Sequence, residues 1–370
     1  MDEANCSNLC CSQRDNASED YDNVSVIQSV IIALLILPTI IGNLLVITLI
    51  CKYRPLHTMT SVLLMNLSIA DCGVGIFVTP FAFLNSLSTI TDVTGLCKAS
   101  GILNVTFCLT STTTLTAIAI ERYCAITQPF RYHKIVTQQG LTITIILIWS
   151  LSFLWSIIPF AFDNNYIYFP DNYVCILDFS NLKIFSSLIT TICFVIPLCT
   201  ISFCYISIYI VAKQQLKKIN DIQVAGHRRS CTDEPSLQET EISNNAIESE
   251  ESSRNRRTSR SKGVQKSRKS NGITKSTKTI KELKAAFTLL VVMAIYLICW
   301  LPYNLGIICH ISEDCRWSCM FYRMSTILVL VSSMCNPIVY FIRFKQYRKY
   351  LKMMFKCQKN DNPIVVLSIH

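Results

Sequence analysis

AIAIERYCAITQPF, residues 117–130, is the stretch on which the reading of this chain turns. An apolar run of more than one helical turn ends abruptly in Glu121-Arg122-Tyr123, then passes into Gln128-Pro129-Phe130. A helix needs roughly 20 consecutive apolar residues to cross a bilayer, and the run that ends here reaches back to about residue 98. Comparable stretches lie at about 25–50, 60–87, 140–161, 184–212, 285–310 and 324–342, which makes seven in all. Short polar segments separate most of them, as in an antiparallel helical bundle. Core helices of soluble proteins rarely exceed about 20 residues without a polar stripe. The expected fold class is therefore all-α and membrane-embedded: a seven-transmembrane helix bundle over 25–342, after an outer tail, 1–24, and before an inner segment, 343–370.

Composition agrees. Of 370 residues, 51% are hydrophobic and 16% charged, against about a quarter charged in soluble domains; the mean hydropathy is +0.38. The charges are clustered, with seventeen of the 34 Lys and Arg between Lys213 and Lys284. Lys and Arg collect on the cytoplasmic side of a membrane. With the N-terminus outside, the inner segments 51–59, 128–139, 213–284 and 343–370 hold 2, 2, 17 and 7 of them. Outer segments and helix ends hold Arg14, Lys98, Lys183, Arg316 and Arg323. The net charge of +10 is thus a topology signal, and no aromatic-interleaved basic motif points to nucleic acid. The opening Met1-Asp2-Glu3-Ala4-Asn5 lacks a basic leader, so the first span reads as an uncleaved signal-anchor. Glycosylation sequons at Asn5, Asn16 and Asn23 fall in the acidic outer tail, whereas those at Asn66 and Asn104 sit in spans and should stay bare.

Nineteen cysteines suit an oxidised outer face and thiols used as small packing groups. Cys97 opens the third span and Cys175 lies midway between the fourth and fifth. A bridge between them would pin that outer loop over the bundle mouth. Cys6, Cys10 and Cys11, and Cys309, Cys315 and Cys319, offer further bridges whose pairing the sequence leaves open. No Cys/His spacing suggests zinc, and none of the five histidines (His57, His133, His227, His310, His370) lies at the hydrocarbon centre. That argues against an enzyme working within the spans. A channel or transporter needs a polar path from face to face, and beyond Asp71 the spans offer none.

Asp71, Glu121 and Arg122 are the charges inside or at the edge of the spans. A charge in hydrocarbon costs about 3 kcal/mol on the gentlest scale, so such residues mark function. Their surroundings form an ordered set: Gly42-Asn43, then Asn66-Leu67-Ser68 leading to Asp71, then Cys97 through Glu121-Arg122-Tyr123. Trp149, Pro197 with Tyr205, Cys299-Trp300-Leu301-Pro302 and Asn336-Pro337-Ile338-Val339-Tyr340 follow. Taken together, over about 30–357, these motifs resemble the rhodopsin-like (class A) G protein-coupled receptors.

The resemblance implies that Arg122 pairs in the resting state with Glu121 and with Glu282, at the base of the sixth span. Activation would swing the sixth helix outward and free Arg122 to meet a heterotrimeric G protein α subunit, with Tyr205 and Tyr340 rotating in. An exposed ion pair is worth little, which suits a switch that ligand binding must tip with a few kcal/mol. The implied switch set is Glu121, Arg122, Tyr123, Tyr205, Glu282, Asn336, Pro337 and Tyr340. Prolines 197, 302 and 337 kink their spans, and Trp300 resembles the family's toggle at the pocket floor. Asp71, Ser111, Ser332 and Asn336 resemble its sodium site, with Ser332 where Asn is usual; sodium is the sole cofactor implied. Tyr296 stands where Phe is usual and Thr112 where Ile is, two extra hydroxyls from which raised basal activity is expected.

ERYCAITQPFRY, CWLPYN and QYRKYL read like the amine-type members, yet the third-span position of their amine-anchoring Asp is Asn104. Ile189, Thr190 and Cys193 replace the ligand-gripping serines, and Tyr303-Asn304 replaces an aromatic pair. The implied pocket, Asn104, Cys108, Thr190, Trp300, Tyr303, Asn304, Tyr322 and Thr326, is uncharged. It fits a neutral or weakly polar extracellular small molecule better than a monoamine. The alternatives are an amine receptor with a non-standard anchor, a peptide receptor reading Asp163, Asp171, Asp178, Glu313 and Asp314, and a constitutively active orphan. Leu330 stands where an opsin needs Lys, which excludes light sensing by that route.

The third inner loop, 213–284, is too poor in apolar residues to order itself, and Arg256-Arg257-Thr258-Ser259 resembles a basophilic kinase site. Phe344, Tyr347, Leu351 and Phe355, at helical spacing among Lys and Arg, predict a short amphipathic helix on the membrane. Cys357 at its end is a palmitoylation candidate. Membrane lipid, a G protein, arrestin and receptor kinases are the partners implied, at the plasma membrane.

Overall fold

The computed structural model describes residues 18–87, 94–161, 166–169, 173–177, 183–232, 290–309, 311 and 317–357. Seven helices in it are long and apolar enough to cross a membrane. They are α1 (Ser18–Lys52), α2 (Met59–Ser86), α3 (Thr94–Thr127), α4 (Gln138–Ile157), α5 (183–232), α6 (Leu290–Cys309) and α7 (Cys319–Arg343). A shorter helix, α8 (Lys345–Cys357), follows. Strands β1 (Tyr166–Phe169) and β2 (Val174–Leu177) pair antiparallel between α4 and α5, with Tyr168 opposite Cys175. By internal contacts the chain forms two units, 1–205 with 288–370, and 206–287; the second includes the C-terminal length of α5.

Side-chain oxygens start three of the helices, filling donors that a first turn leaves open. Thr58 accepts from the Ser61 amide (3.2 Å), Thr137 from Gly140 (3.0 Å) and Ser318 from Phe321 (3.3 Å). Within the spans, hydroxyls turn back onto their own helix, as Thr39 does to Leu35 O (2.7 Å) and Thr106 to Ile102 O (2.8 Å). That is how a polar residue is tolerated where no water reaches. On α4 the buried residues Leu141, Ile148, Ser152 and Ser156 form one strip, while Ile143, Ile146, Leu147 and Phe153 face outward. An apolar outer face is what lipid as solvent selects.

Polar clamps join the helices. Asn66 of α2 donates to Thr114 of α3 (2.8 Å) and accepts from the Trp149 indole of α4 (2.8 Å). Asn43 of α1 donates to Ser333 O of α7 (3.1 Å). Beside it, a Cβ on Gly42 would sit 3.1 Å from Pro337 Cβ, so glycine permits this close crossing.

Several bounds differ from expectation. α1 begins at Ser18, seven residues before the apolar run, and carries Asn23 on helical backbone. α3 continues past Glu121-Arg122-Tyr123 to Thr127. α5 runs to Thr232, well into the segment expected to be irregular; its Lys, Gln, Leu and Ala are good helix formers. Pro38 also lies inside α1, and short π-helical turns interrupt α2 at Val74–Val78 and α5 at Thr191–Val195. Phe344 is the extended break between α7 and α8, not part of the amphipathic helix. In α8, Tyr347 is buried while Met353 and Phe355 are exposed among Lys and Arg. Burial pushes the Tyr347 phenol up to about 12, its bond to Ser61 partly offsetting this. Cys357 ends that helix. Asn5, Asn16, Cys6, Cys10, Cys11, Cys315, Glu282, the kinase-like stretch 256–259 and the loop acids Asp163, Asp171, Asp178, Glu313 and Asp314 lie outside the described residues.

Candidate functional site

The C-terminal end of α3 is organised around one carboxylate. Arg122 donates from Nε to Glu121 Oε2 (2.6 Å) and from Nη2 to Oε1 (3.0 Å). Thr60 of α2 donates to Oε2 (3.0 Å), and Tyr132, on the one-turn helix Tyr132–Ile135, donates to Oε1. Burial, then the neighbouring carboxylate, holds the Tyr132 phenol far above its ordinary pKa, which fixes it as the donor. The Glu121 side chain is 4% exposed and that of Arg122 16%, so water reaches the pair from the arginine side. Thr60 and Tyr132 carry no sequence signal for this role, because nothing in their spacing shows that two other segments converge on Glu121. The Tyr123 ring meets Phe203 of α5 at 5.8 Å. The hydroxyls of Tyr205 and Tyr340 are buried without a hydrogen-bond partner among the described residues.

Midway through the bundle, Asp71 accepts from Ser111 Oγ (3.2 Å) and Asn336 Nδ2 (2.8 Å), with Ser333 as a further hydrogen-bond partner. Ser332 departs from expectation: its hydroxyl turns back to Val329 O (2.6 Å), and the adjacent serine takes the carboxylate. Asp71, Ser111, Ser332, Ser333 and Asn336 line a cavity of about 20 Å³, room for a water-sized body. Sodium is bound by oxygens, and the carboxylate with the Ser111 and Ser332 hydroxyl oxygens supplies such donors.

In the same layer, Thr112 donates to Cys108 O (3.0 Å) and its oxygen lies 2.7 Å from Tyr296 OH of α6. With the threonine proton spent on the carbonyl, the tyrosine is the donor between the helices. The two hydroxyls from which raised basal activity is expected thus satisfy each other across the α3–α6 contact. Tyr296 also stacks on Trp300 at 5.5 Å.

Above Trp300 opens a cavity of about 100 Å³. Asn104, Cys108, Thr190, Trp300, Tyr303, Asn304 and Thr326 all line it, with Val78, Val105, Leu109, Ile189, Cys193, Ile307 and Leu330 supplying apolar wall. No Asp, Glu, Lys, Arg or His is among its described lining residues. Tyr322 is not part of the wall; its ring packs where a Gly306 Cβ would stand and against Phe321.

The family described as "7 transmembrane receptor (rhodopsin family)" matches residues 42–340. This chain belongs to that family. It is similar to the probable G-protein coupled receptor No18 of Amphibalanus amphitrite, at 27% identity covering 90% of this chain and 91% of the relative. The histamine H2 receptor of Cavia porcellus is 25% identical, covering 92% and 82%, and the human 5-hydroxytryptamine receptor 2C is 29% identical, covering 89% and 72%. The galanin receptor 2b of Danio rerio is 26% identical, covering 96% and 82%. The chain is therefore a multi-pass, cell-surface G protein-coupled receptor, a signalling protein and not an enzyme.

The receptor's β-hairpin roofs the cavity, with Val174 and Leu177 forming part of its lining. Cys97 and Cys175 are bridged (Cα–Cα 5.4 Å), and Cys309 is also disulfide-bonded. A Cβ on Gly101 would fall 2.4 Å from the Tyr166 ring, so only glycine lets the hairpin rest on α3. Tyr166 donates to Ser156 O of α4 (2.8 Å). Tyr173, at a φ of 56°, donates to Gln28 Oε1 of α1 (2.7 Å), and its carbonyl accepts from Asn85 of α2 (3.2 Å). The Arg323 guanidinium lies 5.2 Å from the Tyr173 ring centroid. Arg323 reads in sequence as an outer helix end, yet it is only 4% exposed. Its partner ring comes from a distant loop, a pairing that charge counting along the chain does not reveal.

Proposed function

We propose that this receptor carries its N-terminus outside the cell and binds a neutral or weakly polar small molecule in the cavity above Trp300. Binding separates α6 from α3 and frees Arg122 for a heterotrimeric G protein. The observation that carries the ligand reading is the uncharged lining, with Asn104 where an amine receptor's anchoring carboxylate belongs. An amide offers a dipole in place of a full charge, so the main attraction for a protonated amine is missing. The hairpin over the cavity favours a small ligand over a peptide.

Asp71, Ser111 and Ser332, with Ser333 and Asn336 holding the carboxylate, fit an allosteric sodium ion; bound there, it would neutralise a buried charge. Glycans on Asn5, Asn16 and Asn23, a palmitoyl group on Cys357, and arrestin and receptor kinases at the inner face complete the reading. The relatives' names favour one rival, an amine receptor that has lost its anchor. A ligand screen with a promiscuous G protein readout, run on wild type beside Asn104→Asp, separates the two. Wild type should answer neutral compounds, and the variant alone should gain amine responses. Wild type answering amines at low concentration would overturn the neutral-ligand reading.

A further inference from the structure

The polar groups of the outer cavity specify more about its ligand, an inference that rests on the neutral-ligand reading above. Threonines in spanning helices commonly satisfy their hydroxyl on a carbonyl one turn back, and Thr106, Thr112, Thr116, Thr191 and Thr326 all do so here. Thr190 does not. Its hydroxyl is buried at the cavity wall with no partner among the described residues, although its neighbour Thr191 bonds Ser187 O at 2.8 Å. On the α6 wall, Asn304 donates one amide proton to Trp300 O (2.9 Å), which leaves its carbonyl oxygen, beside the second N–H, for the cavity. On the α3 wall the arrangement is reversed. Cys108 donates to Asn104 Oδ1 (3.3 Å), which takes up one lone pair of that oxygen and leaves the amino group to bond, on a side chain that borders both this cavity and the Asp71 cavity.

One wall thus offers a donor, and the other a hydroxyl beside an acceptor. Leaving such groups unpaired against a ligand is costly, and a purely apolar molecule would leave all three so. An ammonium has three donors and no acceptor, so it cannot serve the Asn104 amino group. We propose that the cavity takes a neutral molecule with an apolar body and two hydrogen-bonding ends. A carbonyl-type acceptor meets Asn104, and a hydroxyl donates to Asn304 Oδ1 while accepting from Thr190.

Three probes test this on the purified full-length receptor, read by thermal stabilisation and by nucleotide exchange on G protein. N-acetyltyramine carries both ends, N-acetylphenethylamine lacks the hydroxyl, and tyramine replaces the acetamide with an ammonium. The expected order places N-acetyltyramine at least about tenfold above N-acetylphenethylamine, the loss of the hydroxyl's two modest hydrogen bonds, with tyramine weakest. Thr190→Val should reduce the advantage of the hydroxyl, leaving only its bond to Asn304, and Asn104→Leu should erase that of the acetamide. Equal binding of the two acetylated probes to wild type overturns the inference while leaving the neutral-ligand reading intact. Exchange driven by tyramine alone overturns that reading itself. Binding of none of the three at millimolar concentration overturns the two-ended ligand. The wild-type comparison decides the matter even if a variant fails to reach the membrane.

Discussion

Removing the hydroxyl of Tyr296 is the most informative single change, because the structure fixes what is lost and what is left behind. Tyr296→Phe deletes the donor of the 2.7 Å bond to Thr112 and nothing else in the contact. Thr112 keeps its own proton on Cys108 O, so no donor is orphaned. A net loss of about 1 kcal/mol is expected for a neutral buried hydrogen bond, or about fivefold in an equilibrium. If α6 leaves α3 on activation, the bond belongs to the resting state alone, and ligand-free exchange should rise about fivefold. Thr112→Val is the harsher change. It strands the Tyr296 O–H as a buried donor, costing about 1–3 kcal/mol, so its basal exchange should rise further. Combining the two removes the stranded donor and should return activity to the Tyr296→Phe level, a non-additivity expected of residues in contact. The assay is agonist-free nucleotide exchange on membranes, scaled to surface receptor number. Unchanged or lower exchange in Tyr296→Phe, or simple additivity in the pair, would refute the reasoning.

Tyr132→Phe removes one of the donors on Glu121; at a half-buried site this is worth about 1 kcal/mol, and basal exchange should rise about fivefold in the same assay. Cys97→Ser opens the bridge that ties the hairpin to α3, and with native disulfides worth about 2–5 kcal/mol its surface level, read by antibody on intact cells, should fall sharply. Gly101→Val drives a side chain into the Tyr166 ring; overpacking of about 1–3 kcal/mol should lower the melting temperature of the purified receptor, and Tyr166→Ala in the same chain should recover part of it.

Local features were legible in the sequence because they repeat along it. Seven apolar runs announced seven spans, and the uncharged Asn104 is read directly from the chain. What stayed hidden depends on segments far apart in the chain. Thr60 and Tyr132 converge on Glu121 from two separate segments, and Gln28, Asn85 and Arg323 converge on Tyr173 from three helices. A one-residue choice was equally invisible: Ser332 and Ser333 both suit the Asp71 layer by type, and helix phase alone decides which hydroxyl turns back to its own carbonyl. Tyr322 sits one turn from Thr326, yet packing against Gly306 and Phe321 keeps it out of the wall. The extension of α5 to Thr232 is hidden in the sequence because low apolar content argues against a core, not against helix.

The central claim is that Arg122, held by Glu121 at rest, is the group a G protein reads. Nucleotide exchange on purified G protein, with receptor variants reconstituted at equal surface density, tests it most directly. Glu121→Gln weakens the hold and should raise ligand-free exchange, while Arg122→Ala should abolish exchange in a receptor that still folds and reaches the membrane. Full exchange by Arg122→Ala would contradict the account.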